Sequence, residues 1–140
     1  MASRNKRPTI SAAVRAPFLA LALAAIPQFA LAQPPSAGAT HTFRDPIFNG
    51  TVFCDTLDAV RAIATAEAPD ETYANYYLTT NLRDEPICMA IAPTGVVVEV
   101  IPIGIMLKGG QRYQAWAVET DVGGVTAFAL YLEPAQYVNA

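Results

Sequence analysis

Histidine, cysteine, tryptophan and charge are all scarce in this chain. Its 140 residues hold one histidine, two cysteines and one tryptophan, and only 15% are charged. Each scarcity removes a class of chemistry. Zinc sites draw three or four Cys, His or carboxylate ligands at short, typical spacings; His41, Cys54 and Cys88 have no such spacing, so no metal or other cofactor is expected. A Ser-His-Asp triad needs a base held rigidly beside its nucleophile. Beyond residue 32 the chain has one serine, Ser36, and one histidine, His41, close together in a small, polar, proline-containing stretch. Gly109-Gly110 and Gly123-Gly124 separate strand-like runs instead of opening a helix, so no phosphate-binding loop is expected.

What is present begins with a basic N-terminus. Arg4, Lys6, Arg7 and Arg15 occur there without an acid; Ala16 to Ile26 is apolar; Ala30-Leu31-Ala32 offers small residues at the positions a signal peptidase reads. That order predicts a secretory signal peptide over 1–32, cleaved after Ala32. An uncleaved membrane anchor is the alternative, but the apolar run is far below the roughly 20 residues needed to cross a bilayer. The expected location is periplasmic or secreted, with no membrane attachment after cleavage. Beyond residue 32, five basic residues face twelve acids, a formal charge of −7. Such a domain repels phosphate backbones and anionic lipid surfaces, and nucleic acid is not an expected partner.

In an oxidising compartment, two cysteines in a small domain most often pair. A Cys54–Cys88 disulfide is expected to stabilise a small core by about 3–4 kcal/mol. Residues 33–42 are expected to be a disordered spacer, and 43–140 a single domain. His41 is expected neither to bind metal nor to titrate functionally. Asn49-Gly50-Thr51 matches a glycosylation sequon but reads first as a turn entering a strand.

Thr51 to Cys54 is β-prone, and Asp55 offers a side-chain acceptor at a helix start. Leu57, Val60, Ile63 and Ala64 recur at helical spacing, predicting a helix from Thr56 to about Glu67, stopped by Pro69. Pro69 can open a second helix, with Asp70 and Glu71 in its first turn, ending near Leu78. Thr79 to Pro86 reads as a loop. Four strand-like runs follow: Ile87–Ile91, Val96–Ile103, Arg112–Glu119 and Val125–Leu132. The expected class is α+β: one or two N-terminal helices packed on a four-stranded antiparallel meander with one disulfide. A small, partly open SH3-like barrel is the alternative.

The candidate residues are few. Tyr73, Tyr76 and Tyr77 share one helix face and, with Arg112 and Trp116, can stack on a sugar or anchor a protein partner; equally, the tyrosines can close the end of a small core. Glu99 interrupts an apolar strand. It is a proton carrier if it faces the core, and an ordinary surface acid if its face is wet. The expected function is a small exported, disulfide-stapled, non-catalytic binding or interaction module of the bacterial cell envelope. Its expected partner is a protein or an envelope component. The alternatives are an envelope hydrolase using carboxylate acid–base chemistry, and a secreted enzyme inhibitor.

Overall fold

The computed structural model describes residues 33–135; the expected signal peptide and its cleavage point lie outside them. The element order is β1 (Thr40–Thr42), β2 (Thr51–Cys54), α1 (Leu57–Ala64), α2 (Pro69–Leu78), β3 (Cys88–Ile91), β4 (Thr94–Lys108), β5 (Gln111–Val122) and β6 (Val125–Pro134). The strands form one antiparallel sheet in the order β1-β4-β5-β6-β2-β3. The α+β class and the disulfide are as expected, but the sheet has six strands instead of four.

The meander holds only for β4, β5 and β6, which are joined by two-residue glycine turns. Cys88–Ile91 does not pair with the next strand in sequence. It crosses to β2, which itself pairs with β6. Thr40–Thr42, placed by sequence at the end of a disordered spacer, instead forms an edge strand on β4, and Gly38 and Ala39 extend that pairing to Val97. Gly95, opposite His41 on β1, also permits a close approach of β4 to β5 on its other side. A Cβ there would lie 2.7 Å from both the Asp121 carbonyl oxygen and Thr120 Cγ2.

The sheet is curled into a half-barrel. Phe43, immediately after β1, stacks edge-on against Phe53 of β2 with ring centroids 5.1 Å apart. In a flat sheet those strands would be four spacings apart, roughly 19 Å. Each face carries a buried core. One core packs α1 against Val52, Cys54, Met106, Ala115, Ala117 and Leu130; the other joins Phe43, Phe53, Val97, Val118 and Ala129. That is why β6 reads as a nearly continuous apolar run from Val125 to Leu132.

Helix α1 follows its sequence pattern. Val60 and Ile63 are fully buried, and Asp58, Arg61 and Thr65 face solvent. Its N-cap is Thr56 instead of Asp55: the Thr56 hydroxyl accepts from the Ala59 N–H at 3.2 Å. The helix ends at Ala64, where Thr65 turns its hydroxyl back to the Arg61 carbonyl. Helix α2 starts on Pro69 and ends on Leu78, as expected.

The disulfide joins adjacent strands directly. Cys54 and Cys88 are cross-strand neighbours, both buried, with Cα atoms 4.0 Å apart. The Asp55 N–H bonds to the Ile87 carbonyl, so the next pair, Cys54–Cys88, is the close, non-hydrogen-bonded kind.

Candidate functional site

The chain between β1 and β2 forms one wall of a cleft that gathers several polar side chains. Asp45 sits at its start, and its backbone N–H donates to the Thr51 hydroxyl at 3.1 Å. Asp45 Oδ1 accepts from the Ile47 N–H at 3.0 Å, a side-chain turn that fixes the carboxyl. The Gly50 N–H bonds back to the Asp45 carbonyl, and Asn49 takes a left-handed φ of 62°, which Asn tolerates. Asn49-Gly50 is thus the turn expected from sequence, and the sequon's Thr51 hydroxyl is buried as an internal acceptor.

This loop lies beside the C-terminal end of β6 and the start of β5. Together they enclose a cleft of about 480 Å³. Its walls are Phe43, Ile47, Tyr113, Tyr131 and Leu132, and its polar groups are His41, Arg44, Asp45 and Glu133. On β6 the Tyr131 hydroxyl donates to Glu133 Oε2 at 2.6 Å. The Tyr131 ring is met edge-on by His41 at 6.0 Å and at a tilt by Trp116 at 5.7 Å.

The electrostatics are those of a half-buried acidic pair. Burial pushes the Asp45 carboxyl above its ordinary value of 3.8; the Ile47 N–H pulls it back, Glu133 raises it further and Lys108 opposes. The Tyr131 hydroxyl is held well above the usual phenol range, first by burial and then by its bond to Glu133. Lys108 does not neutralise the pair directly: its ammonium lies 3.3 Å from Asp70 and over the Phe48 ring at 5.0 Å. The arrangement suits recognition of a small group with an apolar face and a hydrogen-bond-donating or cationic end. Among the described residues, no three His, Cys, Asp or Glu side chains come together as a metal site.

The sequence-predicted binding residues do not form one patch. Tyr73 is built into the fold: its hydroxyl accepts from the Ala90 N–H of β3 at 3.0 Å, and its ring meets Phe48 at 5.5 Å. Tyr76 packs against the helix-side core. Tyr77 alone of the three is exposed, at 47%, next to the more exposed Leu78. Trp116 joins the opposite core and supports Tyr131 from behind. Arg112 is exposed near the β4–β5 turn, across from Leu107. Glu99 is exposed, as the wet-face reading requires. A bulge between Val97 and Glu99 resets the alternation, so Val97 is buried.

Asp45, Tyr113, Tyr131 and Glu133 escape sequence reasoning because three distant segments supply them. The one local signal is the Tyr-x-Glu spacing of Tyr131 and Glu133, which puts both side chains on one strand face. A second groove of about 350 Å³ is lined by Phe53, Met89, Ile91, Val122 and Val125, with Asp55 and Glu85 among its polar groups. No protein-family model matches the chain, nor does any curated protein or solved structure.

Proposed function

We propose that this protein is an exported binding module of the bacterial cell envelope, non-catalytic, whose ligand group seats in the cleft between Asp45 and Glu133. The observation that carries this reading is the cleft itself: about 480 Å³, aromatic-walled, with two carboxyls fixed by neighbouring donors. Concave apolar sites with a few converging polar groups are where small ligands bind. The buried disulfide supports the reading, since it suits an oxidising compartment.

The test is thermal unfolding of the purified protein with soluble glycan and amine-bearing envelope fragments. Binding raises the transition temperature by mass action. Glu133→Gln, which keeps an acceptor for Tyr131 but removes the charge, is expected to diminish that rise. An equal rise in both proteins would place the ligand elsewhere.

One observation favours a second reading, an envelope hydrolase. A carboxyl with a raised pKa beside a second carboxyl is the arrangement used to protonate a leaving group. In that case the fragments are cleaved, and Asp45→Asn abolishes cleavage while leaving binding.

A further inference from the structure

The two sides of strand β4 are unequally used. One side pairs with β5 along its whole length, whereas the other pairs only with the β1 segment, up to Val97. Among the described residues, the second side of Val98 to Lys108 has no strand partner. Two bulges and Pro102 break its first half, and such features keep an edge from pairing. From Gly104 to Lys108 the register with β5 is unbroken and the strand is regular.

The direction of the free backbone groups follows from the ladder. Arg112 gives its carbonyl to the Ala135 N–H, on the side away from β4. Its partner Leu107 is therefore in a non-hydrogen-bonded pair, and Leu107 N–H and C=O point outward. Two residues on in the same register, Ile105 does the same. Their side chains are exposed, at 42% and 56% for Ile105 and Leu107. Lysine on an edge strand usually guards it. Here Lys108 is drawn off towards Asp70 and Phe48. The far edge of the sheet is handled differently, because Tyr73 caps the outward Ala90 N–H of β3.

We infer that Gly104–Lys108 is a docking edge for an extended peptide segment, which adds to the sheet as a seventh strand. Two outward residues offer four backbone hydrogen bonds, a length that suits a short peptide strand. It is too small for a stable pairing of two copies, which would need roughly 1,000 Å² or more of buried surface. The segment carries apolar residues opposite Ile105 and Leu107. Arg112 lies on the same face across from Leu107 and makes no ion pair among the described residues. It selects a carboxylate beside the apolar pair. This surface is independent of the cleft.

The probe is an acetylated and amidated peptide, Ser-Thr-Val-Thr-Val-Thr-Glu-Ser, whose valines and glutamate share one strand face, titrated into the purified protein and followed by residue-resolved amide exchange and fluorescence anisotropy. The expected result is saturable binding with slowed exchange at the Ile105 and Leu107 amides. Leu107→Lys, at an exposed position, is expected to weaken binding about tenfold. Arg112→Ala should weaken it too, and the peptide N-methylated at both valines should not bind. Unchanged exchange at those two amides, or equal binding by the N-methylated peptide, would overturn the proposal. So would a peptide-free dimer whose Ile105 and Leu107 amides are already slow, since a second copy would then hold the edge. The N-methylated control uses the wild-type protein, so the test does not depend on the variants folding.

Discussion

Asp45 carries the clearest tension at the residue scale. Its carboxyl pKa is raised, chiefly by burial, so ionising it costs more in the folded chain than in the unfolded one. The sign is therefore destabilising at neutral pH. The cost is absent below the unfolded value of 3.8, grows as pH rises through it, and is complete above the folded value. Asp45→Asn keeps an oxygen to accept from Ile47 and removes the charge. It is expected to raise the unfolding midpoint at pH 7 and to leave it unchanged well below pH 3.8, which denaturation at the two pH values will check. A residue that lowers stability while lining a cleft is what function tends to retain. Nothing in the local sequence marked Asp45. The cleft residues that share its site, Tyr113, Tyr131 and Glu133, are all more than sixty positions away.

At the element scale, the regular pieces were legible and their partners were not. The spacing of Leu57, Val60 and Ile63 located α1, and Pro69 located the start of α2, because those signals lie within each helix. Strand β1 has three residues and no alternation of its own; only pairing with β4, more than fifty residues away, makes it a strand. The crossing of Cys88–Ile91 to β2 was equally hidden, although the disulfide recorded it, since Cys54 and Cys88 face each other across that pair. Losing both sulfurs in a Cys54→Ala, Cys88→Ala double variant is expected to cost about 3–4 kcal/mol by denaturant unfolding. Helix α2 ties two strands together: Tyr73 holds it to the outward side of β3, and Asp70 joins it to Lys108 at the end of β4. Tyr73→Phe deletes the acceptor for the Ala90 N–H and is expected to cost about 1 kcal/mol and speed exchange of the Ala90 amide. Tyr77→Ala, on the solvent side of the same helix, is expected to stay within about 0.5 kcal/mol. Equal costs for the two would mean that the tyrosine face had been divided wrongly.

Among the described residues, one half-barrel carries a buried core on each face, and its surfaces include the acidic aromatic cleft, the groove beside β3 and the unpaired edge of β4. The composition pointed to an acidic, disulfide-stapled α+β domain, because charge, length and cysteine pairing are properties of the chain as a whole. It could not point to the cleft, because curling of the sheet is what brings the 41–47 segment over the ends of β5 and β6. Trp116 illustrates the limit: its sequence does not show that its ring packs against Tyr131, with centroids 5.7 Å apart. That the cleft binds and does not cleave is tested most directly by nuclear magnetic resonance mapping of the purified protein with soluble envelope fragments, followed by mass analysis of the fragments recovered. The expected result is a set of shifts centred on Asp45, Tyr113, Tyr131 and Glu133, with every fragment recovered intact. Shifts confined to other surfaces, or fragments cleaved by wild type and spared by Asp45→Asn, would contradict it.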